Sequence, residues 1–580
     1  MKFYLRGILC LCAFCINALC AHAASDDDII EYQGDRYVIH VDRMHPDSEM
    51  TLLDVLNTCP EFLSRNGKTI GLDYQLRIDN NVIVVDYETI LANVKACEID
   101  RIQICSNTTV AKAVDGIRGV IDIYYREDIK TDGKVALMAD TRGNGKAYAD
   151  ITDRTQKLTV QGYAMLRNSY GKAYPTDVFK LTDHNLLENL HLKLDWHISK
   201  SDRLIVKGSH IYSNGKEKLF NPDLTATHPS YSRYYGLIVS YSHTFRNDAI
   251  LFAEAGTDYN RVAYNHEKQA GRYPYCFAEL NTPLFTPDLW LMIGTEMDYQ
   301  NIKYDNVNRE QYLTNDFYAQ FDYKHGPWVL TLGDRFRIMN FWNRQYDSAD
   351  RSLWRHDRTN HSYIASAGFN NGPSFFQALF ARRYYVPMIS DFLVDETNPT
   401  TSLKFNASGY RTNLVHQAVL RYSFQRKNFF FHTSAENTWF SHLPGPNRLL
   451  FGFRNSAYWK IARWELTFGA NYYHQHTSSG ADSPSESDNF VTLKLAPVLD
   501  LPHGFRLSSV LLYSSRRPME NLHAHLFGTV KVNKQFGKKF NVYAEFHDLG
   551  GYADGTWTQL ADLYQNRAVS IGATFYPFRK

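Results

Sequence analysis

Histidine is the residue type that first suggests chemistry, because the chain carries 22 of them. Two pairs, His474-x-His476 and His523-x-His525, have a spacing that places both imidazoles on one side of a β-strand. Two imidazoles on one side could begin a transition-metal site. Exposed histidines close to a loop are the alternative interpretation, and it is the one that we favour. We therefore expect no metal site.

No residue pattern in the sequence indicates catalysis. The chain lacks a Gly-x-Ser-x-Gly nucleophile elbow, a His-Glu-x-x-His zinc motif and a glycine-rich phosphate loop. Its 63 basic and 61 acidic residues give a net charge of +2, so no long-range field favours nucleic acid. We expect no catalytic residue, no cofactor and no nucleic-acid partner, and an enzyme at the rim of a barrel is a remote alternative.

The elements that must position the polar residues are β-strands, because apolar and polar residues alternate from about Lys134 onward. The clearest alternating runs are 192–198, 464–473 and 540–547. On a strand this period puts apolar groups on one face and charged groups such as Asp195, Glu465 and Glu545 on the other. A charged face of that length indicates contact with water and not with a packed core.

Short turns and longer polar segments separate 22 candidate strands between Lys134 and Phe578. Aromatic residues make up 14% of the chain, while the mean hydropathy is only −0.40. Short turns at one end and longer loops at the other are typical of an outer-membrane β-barrel, and a missed pair would make the count 20 or 24. A soluble sandwich or propeller is the alternative architecture. The predicted turns are 200–202, 246–248, 286–288, 325–327, 502–504 and 537–539, and the predicted longer segments include 213–234, 344–361, 386–410 and 548–565.

The N-terminus has the features of a secretory signal peptide. Lys2 and Arg6 precede an apolar stretch from Gly7 to Leu19, and Ala21-His22-Ala23 provides a cleavage site. The mature chain should therefore begin near Ala24. The apolar run is shorter than the roughly 20 residues of a membrane-spanning helix.

Five of the eight cysteines lie after residue 15, and each of them allows more than one interpretation. Cys20 could be the acylated residue of a lipoprotein, but the residues before it do not suit that processing. Cys59, Cys97, Cys105 and Cys276 are too scattered for a disulfide framework. A bridge between Cys97 and Cys105 and a set of free buried thiols both stay open, and free thiols are the interpretation that we favour.

Four segments ahead of the barrel occur in a fixed order: Leu53-Asp54-Val55-Leu56 with Cys59-Pro60, Arg77-Ile78-Asp79-Asn80, Ile99-Asp100-Arg101-Ile102-Gln103-Ile104, and Gly116 and Gly119 with Val120-Ile121-Asp122-Ile123. Together they resemble the plug domain of TonB-dependent receptors, in the form common in Bacteroidetes-type outer-membrane β-barrel proteins. The resemblance assigns plug-motif roles to Asp54, Leu56, Pro60, Asp79, Ile99, Ile102, Ile104, Gly116, Gly119 and Ile121.

The resemblance implies a transmembrane all-β fold, an antiparallel barrel of about 22 strands with a small α+β N-terminal plug domain. We divide the chain into a signal peptide (1–23), an N-terminal extension (24–47), a plug domain (48–127) and a barrel (128–580). The implied function is uptake of a scarce solute such as a siderophore or glycan. The implied partners are a TonB-type energy transducer, a surface lipoprotein, the barrel assembly machinery and membrane lipid.

A binding or structural barrel that has lost energy coupling is the alternative function. A transducer needs an extended contact segment before the plug, and the sequence contains no clear one. Residues 28–32 and 37–41 come closest to such a segment. The sequence therefore leaves both functions open, and it does not identify a solute.

Overall fold

The computed structural model describes two parts of the chain, an N-terminal part and a barrel. Neighbouring stretches of the N-terminal part are separated by gaps, and the barrel part is nearly continuous. The described residues are 30–33, 36–44, 52, 55–56, 64–65, 68–69, 74–78, 81–82, 96, 99–105, 119–126 and 131–578, the last without 142, 175–178, 222–223, 265–266, 305–307, 346–352, 386–412, 427, 442–446, 479–484, 517–523 and 548–567.

Eight short strands come first: β1 (Ile30–Gln33), β2 (Arg36–His40), β3 (Ser64–Arg65), β4 (Lys68–Thr69), β5 (Tyr74–Ile78), β6 (Asn81–Val82), β7 (Ile99–Cys105) and β8 (Gly119–Tyr125). Six of them form one sheet, the N-terminal sheet, in the order β1-β2-β7-β8-β5-β6. Strands β5 and β8 run parallel, whereas the other neighbours in this sheet are antiparallel. Strands β3 and β4 form a separate pair.

Residues 30–40 belong to the N-terminal sheet, although the sequence analysis places them in an extension before the plug. Strand β2 lies between β1 and β7, with hydrogen-bonded partners on both sides. Its side chains Val38 and Ile39 are 1% and 0% exposed. The segment 37–41 is therefore an internal strand of the sheet and part of its core.

Helical structure is sparse in the described residues. Single 3-10 turns occur at Asp42–Met44 and Pro502–Gly504, and Leu52, Val55 and Leu56 are helical and fully buried. No helix in the described part of the chain is long and apolar enough to cross a membrane.

The second part is a closed antiparallel barrel of 22 strands, which confirms the predicted count. Each strand pairs with the next one along the chain, and the last strand pairs with the first, Ser570–Phe575 opposite Val135–Asp140. The strands are β9 (Thr131–Asp140), β10 (Gly145–Arg154), β11 (Leu158–Tyr174), β12 (Phe179–His197), β13 (Asp202–Asn221), β14 (Leu224–Thr244), β15 (Ile250–Tyr264), β16 (Glu267–Leu284), β17 (Thr286–Tyr304), β18 (Asn308–His325), β19 (Trp328–Gln345), β20 (Leu353–Asn371), β21 (Ser374–Tyr385), β22 (Asn413–Arg426), β23 (Phe429–Ser441), β24 (Arg448–Ile461), β25 (Trp464–Thr477), β26 (Glu486–Leu501), β27 (Phe505–Ser514), β28 (His525–Phe536), β29 (Phe540–His547) and β30 (Ala568–Phe575).

The predicted alternation sets the two faces of the barrel wall. On β12, Leu192 and Trp196 are 52% and 45% exposed on the outer face, whereas Asp195 is 3% exposed on the inner face. On β25, Phe468 is 49% exposed and Glu465 is 3% exposed. The outer face is therefore apolar and the inner face polar, as a wall between lipid and a lumen requires.

Short connections gather at one end of the barrel, which we call the turn end. Most predicted turns are confirmed there, including Gly326 and Gly504, whose φ angles of +55° and +75° suit glycine. The predicted turn at 286–288 is wrong, because β17 begins at Thr286 and the reversal falls on Phe285 at φ +53°. The local Thr-Pro-Asp composition favours a turn, but pairing in the sheet determines where the strand begins.

At the opposite end, the loop end, strands continue through segments that the sequence analysis assigns to loops. Strand β13 continues to Asn221 and β14 begins at Leu224, so most of the predicted longer segment 213–234 is strand. These strand ends lack apolar alternation because a strand beyond the bilayer has no lipid to face. The predicted longer segments 386–410 and 548–565 lie outside the described residues.

An aromatic contact reinforces the seam between the last strand and the first at the turn end. The ring of Phe578 covers Gly133 of β9, where an added Cβ would be 2.8 Å from Cε2 of the ring. Tyr576 is fully buried, and its backbone nitrogen donates a hydrogen bond to the Lys539 carbonyl at 2.9 Å. The residues after β30 thus contact β9 on one side of β30 and the turn before β29 on the other.

Replacing Phe578 with alanine should weaken this seam, because half of a phenylalanine side chain is worth about 1 kcal/mol of burial. We expect Phe578→Ala to unfold at a lower temperature in a gel assay of heat-modifiable mobility. Phe285→Ala is the matched control, because Phe285 is also near a turn and is 99% exposed. Equal unfolding temperatures for the two variants would contradict the role of Phe578.

Candidate functional site

The inner face of the barrel wall is the candidate functional site, and its central feature is a buried ion network on β17–β19. Asp316 lies directly opposite Arg337 in the sheet, and Arg335 is two residues away on the same inner face. Both guanidinium groups donate to the Asp316 carboxylate, Arg335 through Nε at 2.9 Å and Arg337 through Nη2 at 2.7 Å. Arg335 also donates to Glu296 at 2.5 Å. These ionised groups stay buried because they satisfy one another.

A second network lies on β22–β24 and again has a buried carboxylate held by hydrogen-bond donors. Glu436 accepts hydrogen bonds from Gln417 at 2.5 Å and from Thr438 at 3.0 Å. Arg454 on the next strand donates to the same carboxylate. Glu436 and Arg454 are 5% and 7% exposed, so this pair too is shielded from bulk water.

Carboxylates on β15 are held by hydroxyl groups instead. Glu254 accepts hydrogen bonds from Ser240 at 2.6 Å and Tyr275 at 2.9 Å, and Asp258 accepts one from Tyr234 at 2.7 Å. Among the described residues, no lysine or arginine forms an ion pair with Glu254 or Asp258. This part of the wall therefore carries negative charge that no neighbouring cation in the wall neutralises.

A glycine makes room for one of these tyrosines. Gly256 lies directly opposite Tyr275 on the inner face. An added Cβ at Gly256 would be 2.6 Å from the Tyr275 ring, so a larger residue would displace the ring. The glycine thereby allows the Tyr275 hydroxyl to reach Glu254.

Charge is segregated around the wall, and two adjacent arcs carry opposite signs. Inward-facing carboxylates dominate β15–β18, where they form the acidic arc of Glu254, Asp258, Glu279, Glu296, Asp298, Glu310, Asp316 and Asp322. Inward-facing cations dominate β19–β24, where they form the basic arc of Arg335, Arg337, Arg383, Arg421, Arg454 and Lys460. A lumen with such walls orients any charged body inside it.

The plug-motif residues come together where the structure describes them. Ile99, Ile102 and Ile104 lie on β7, Gly119 and Ile121 lie on β8, and Ile104 is directly opposite Ile121. All four isoleucines are at most 2% exposed, and Leu56 is fully buried. Strand β5, which ends at Ile78 beside the predicted Asp79, is the other neighbour of β8. Asp54, Pro60, Asp79 and Gly116 lie outside the described residues.

The pair His474 and His476 lies away from the lumen. His474 and His476 are on the outer face of β25, where their Nδ1 atoms contact Asn489 at 3.0 Å and Ser487 at 2.8 Å. His523 lies outside the described residues, and no side chain is described for His525. Within the described residues, no group of three or more His, Cys, Asp and Glu side chains could hold a metal ion.

The described cysteine with a resolved environment is Cys276, which is free and exposed on the outer face of β16. Cys59 and Cys97 lie outside the described residues, and no side chain is described for Cys105. The alternative of a bridge between Cys97 and Cys105 therefore stays a prediction.

Solved structures with the same architecture cover nearly the whole chain. The alcaligin outer-membrane receptor FauA of Bordetella pertussis aligns with a TM-score of 0.66 at 12% identity, over 94% of this chain and 95% of its own. The ferric yersiniabactin uptake receptor FyuA of Yersinia pestis aligns with 0.69 at 10% identity, over 95% and 98%. The copper transporter OprC aligns with 0.71 at 9% identity, over 93% and 100%. No protein-family model and no curated protein sequence matches the chain.

At this low sequence identity, the structural similarities show the fold of the chain. The chain has the architecture of outer-membrane receptors, a closed β-barrel preceded by a small N-terminal domain. Within that architecture it has the fold of the TonB-dependent receptors, the family that the sequence resembles.

Removing the shared carboxylate of the β17–β19 network should destabilise the barrel. Asp316→Ala leaves two buried guanidinium groups without the anion between them, a loss of about 3 kcal/mol. A urea titration of the purified protein, followed by tryptophan fluorescence, measures the change. Asp500→Ala is the control, because Asp500 is 52% exposed at the turn end and its ion pair with Arg506 should be worth less than about 1 kcal/mol. Equal midpoints for the two variants would show that the network does not stabilise the wall.

Proposed function

We propose that the chain is an outer-membrane receptor of the TonB-dependent type, which binds a scarce solute outside the cell and admits it through a gated lumen. The observation that carries this proposal is the burial of a polar wall inside a closed barrel. Asn189, Asp316 and His432 face the lumen and are 0% exposed. An open channel of 22 strands would leave these groups in water, so their burial supports a filled lumen.

The N-terminal sheet is the proposed plug that fills the lumen. Strand β1 contacts β22, whose inner face carries Arg421 of the basic arc. At the junction between the two parts, Arg154 of β10 donates a hydrogen bond to the Arg126 carbonyl at 3.1 Å. Both contacts support a sheet that lies against the inner wall. The plug domain would then include β1 and β2 together with the segment 48–127.

A metal or a metal chelate is the solute class that the structural neighbours favour. The names of FauA, FyuA and OprC refer to alcaligin, ferric yersiniabactin and copper. We propose a solute of this kind, with a glycan as the other candidate. A surface lipoprotein would act as a partner in capture.

Energy for uptake would come from a TonB-type transducer in the inner membrane. The segment 37–41 is an internal strand, so it cannot serve as a free contact segment. Strand β1 is at the edge of the sheet and, among the described strands, pairs with β2 alone, so the proposed contact is the edge of β1 with the residues before it. A barrel that binds a ligand without energy coupling is the second candidate function.

Removing the whole N-terminal part should open the lumen. Deletion of residues 24–127 behind an intact signal peptide is expected to sensitise cells to large antibiotics that the outer membrane normally excludes, because a barrel of about 22 strands is wide enough to conduct them. Antibiotic susceptibility of cells with matched barrel levels is the measurement. Unchanged susceptibility would contradict a plug in the lumen.

A smaller deletion separates energised uptake from binding alone. Deleting residues 24–29 leaves Val38 and Ile39 in the core of the sheet, whereas deleting 25–41 removes them. We expect the 24–29 deletion to abolish uptake of a radiolabelled metal chelate that binds the intact protein, with surface binding unchanged. The antibiotic susceptibility of this variant should equal that of the intact protein. Uptake that persists at the full rate would favour the second candidate function.

A further inference from the structure

A charged residue lies midway along the lipid-facing side of β19. The Asp334 side chain is 57% exposed on the outer face, two residues from Leu332, which is 61% exposed. On the same face, Trp328 lies towards the turn end and Trp342 towards the loop end, six and eight residues from Asp334. Tryptophan side chains are typical of the two membrane interfaces. Asp334 therefore lies near the midplane of the bilayer.

The cross-strand pairing gives Asp334 the same height. A row of directly opposite residues passes through Asp334, from Asp202 on β13 at the turn end to His476 on β25 near the loop end. The row crosses the tilted strands at a right angle, so it rises towards the loop end as it passes from strand to strand. Strand β19 is halfway between β13 and β25, so Asp334 is halfway up this row.

Lipid offers Asp334 no polar contact at this depth, and the chain offers it a weak one. In the described structure its ion pair is with His361, whose Nδ1 lies 3.5 Å from Asp334 Oδ2 and whose side chain is 55% exposed as well. This separation is longer than the usual hydrogen bond between such groups. Ionisable side chains inside a membrane usually face protein and are paired there. The exposed pair therefore indicates that another protein surface covers it.

An arginine lies on the same face, two strands from Asp334. Asp334 is directly opposite Tyr363, and Tyr363 is directly opposite Arg382, so Asp334 and Arg382 are roughly 10 Å apart across the sheet. Arg382 Nη2 donates to the Tyr384 hydroxyl at 2.6 Å, and Arg382 Nε has no hydrogen-bond partner in the described part of the chain. Among the described residues, no carboxylate forms an ion pair with Arg382. The guanidinium therefore has donors for an anion that the described chain does not supply.

Short side chains around Asp334 leave room for a covering protein surface. Ala319 is directly opposite Asp334 on β18. Three more alanines are exposed on the outer face of β20 and β21, namely Ala365, Ala367 and Ala378. Small residues let two membrane-embedded surfaces pack with their backbones close together. The short Asp334 side chain is therefore within reach of groups on a packed partner.

We propose that this surface is the contact between two copies of the chain. We call its polar part, which consists of Asp334, His361, Tyr363 and Arg382, the midplane patch. The midplane patch carries both signs of charge, so a second copy of it satisfies both, whereas a partner surface of one sign satisfies only one. The proposal rests on the membrane location of the barrel, and it does not depend on the solute or on energy coupling.

Symmetry places the opposite charges of the two copies on the same side. All copies enter the membrane in one orientation, so two of them are related by a two-fold axis along the membrane normal. With the axis at Tyr363, Asp334 of each copy lies on the side of Arg382 of the other copy. Because the strands are tilted by about 40°, Arg382 is roughly 6 Å nearer the loop end than Asp334, and the long arginine side chain spans this difference.

Photo-crosslinking of the full-length protein in outer membranes identifies what covers the midplane patch. One chain carries p-benzoylphenylalanine in place of Tyr363. The control chain carries it in place of Leu137, which is 61% exposed on β9, eleven strands away around the barrel. Illumination should give an adduct of twice the protein mass at position 363 and none at position 137. An adduct at 363 with a different protein or with lipid alone, or equal dimer yields at both positions, would overturn the proposal.

Two charge reversals test the pairing between copies. Asp334→Arg and Arg382→Asp each bring like charges together in a two-fold dimer. Two differently tagged copies of either variant should therefore copurify at least about tenfold less than two copies of the intact protein. Co-expression of one variant with the other should restore copurification, because the new arginine meets the new aspartate and the unchanged Asp334 meets the unchanged Arg382. A loss of folding cannot produce this restoration.

Asp500→Arg is the control, because Asp500 is 52% exposed at the turn end, away from the midplane patch, and copurification should be unchanged. Heat-modifiable mobility shows whether each variant folds. Undiminished self-association of a folded single variant, or no copurification of the two folded variants, would overturn the proposal. If a reversal prevents folding, Asp334→Asn in the photo-crosslinking chain replaces it, and an unchanged dimer yield at position 363 would contradict the pairing.

Discussion

The closure of the sheet is the constraint on which the rest of the structure depends. A strand in lipid has no water for its backbone groups, so every strand needs a partner on both sides. The pairing of β30 with β9 provides the last pair of partners, and the ring of Phe578 covers Gly133 beside that seam. Once the sheet is closed, the period-two alternation gives the wall a mainly apolar exterior and a mainly polar interior.

Closure also buries the charged groups of the inner wall in the lumen. A buried charge is energetically costly unless it has a partner. Asp316 holds two guanidinium groups, and hydroxyl groups hold Glu254 and Asp258. The burial of these groups and the contact of β1 with β22 together support a lumen filled by the N-terminal sheet. A filled lumen in so wide a barrel is consistent with gated uptake.

The strand content was predictable from the sequence, because a strand between lipid and lumen must alternate apolar and polar residues. Runs such as 192–198 show this alternation. The pattern ends where the lipid ends, so the outer parts of β13 and β14 resemble loops in sequence. The ion networks could not be predicted, because Asp316 and Arg335 are brought together by cross-strand register. The Arg335-x-Arg337 spacing was the available signal, since it places two cations on one face. The strand character of residues 30–40 was missed because only pairing with β7 buries Val38 and Ile39.

The most direct test of a filled barrel compares two neighbouring residues of β12. Asn189 faces the lumen and is 0% exposed, whereas Leu190 faces outward and is 48% exposed. Single cysteines at these positions, in a chain whose Cys59, Cys97, Cys105 and Cys276 are serine, can be labelled with a water-soluble maleimide in outer membranes. Neither cysteine should react in the full chain, and only the one at position 189 should react after deletion of residues 24–127. Labelling at 189 in the full chain, or at 190 in either chain, would contradict the account.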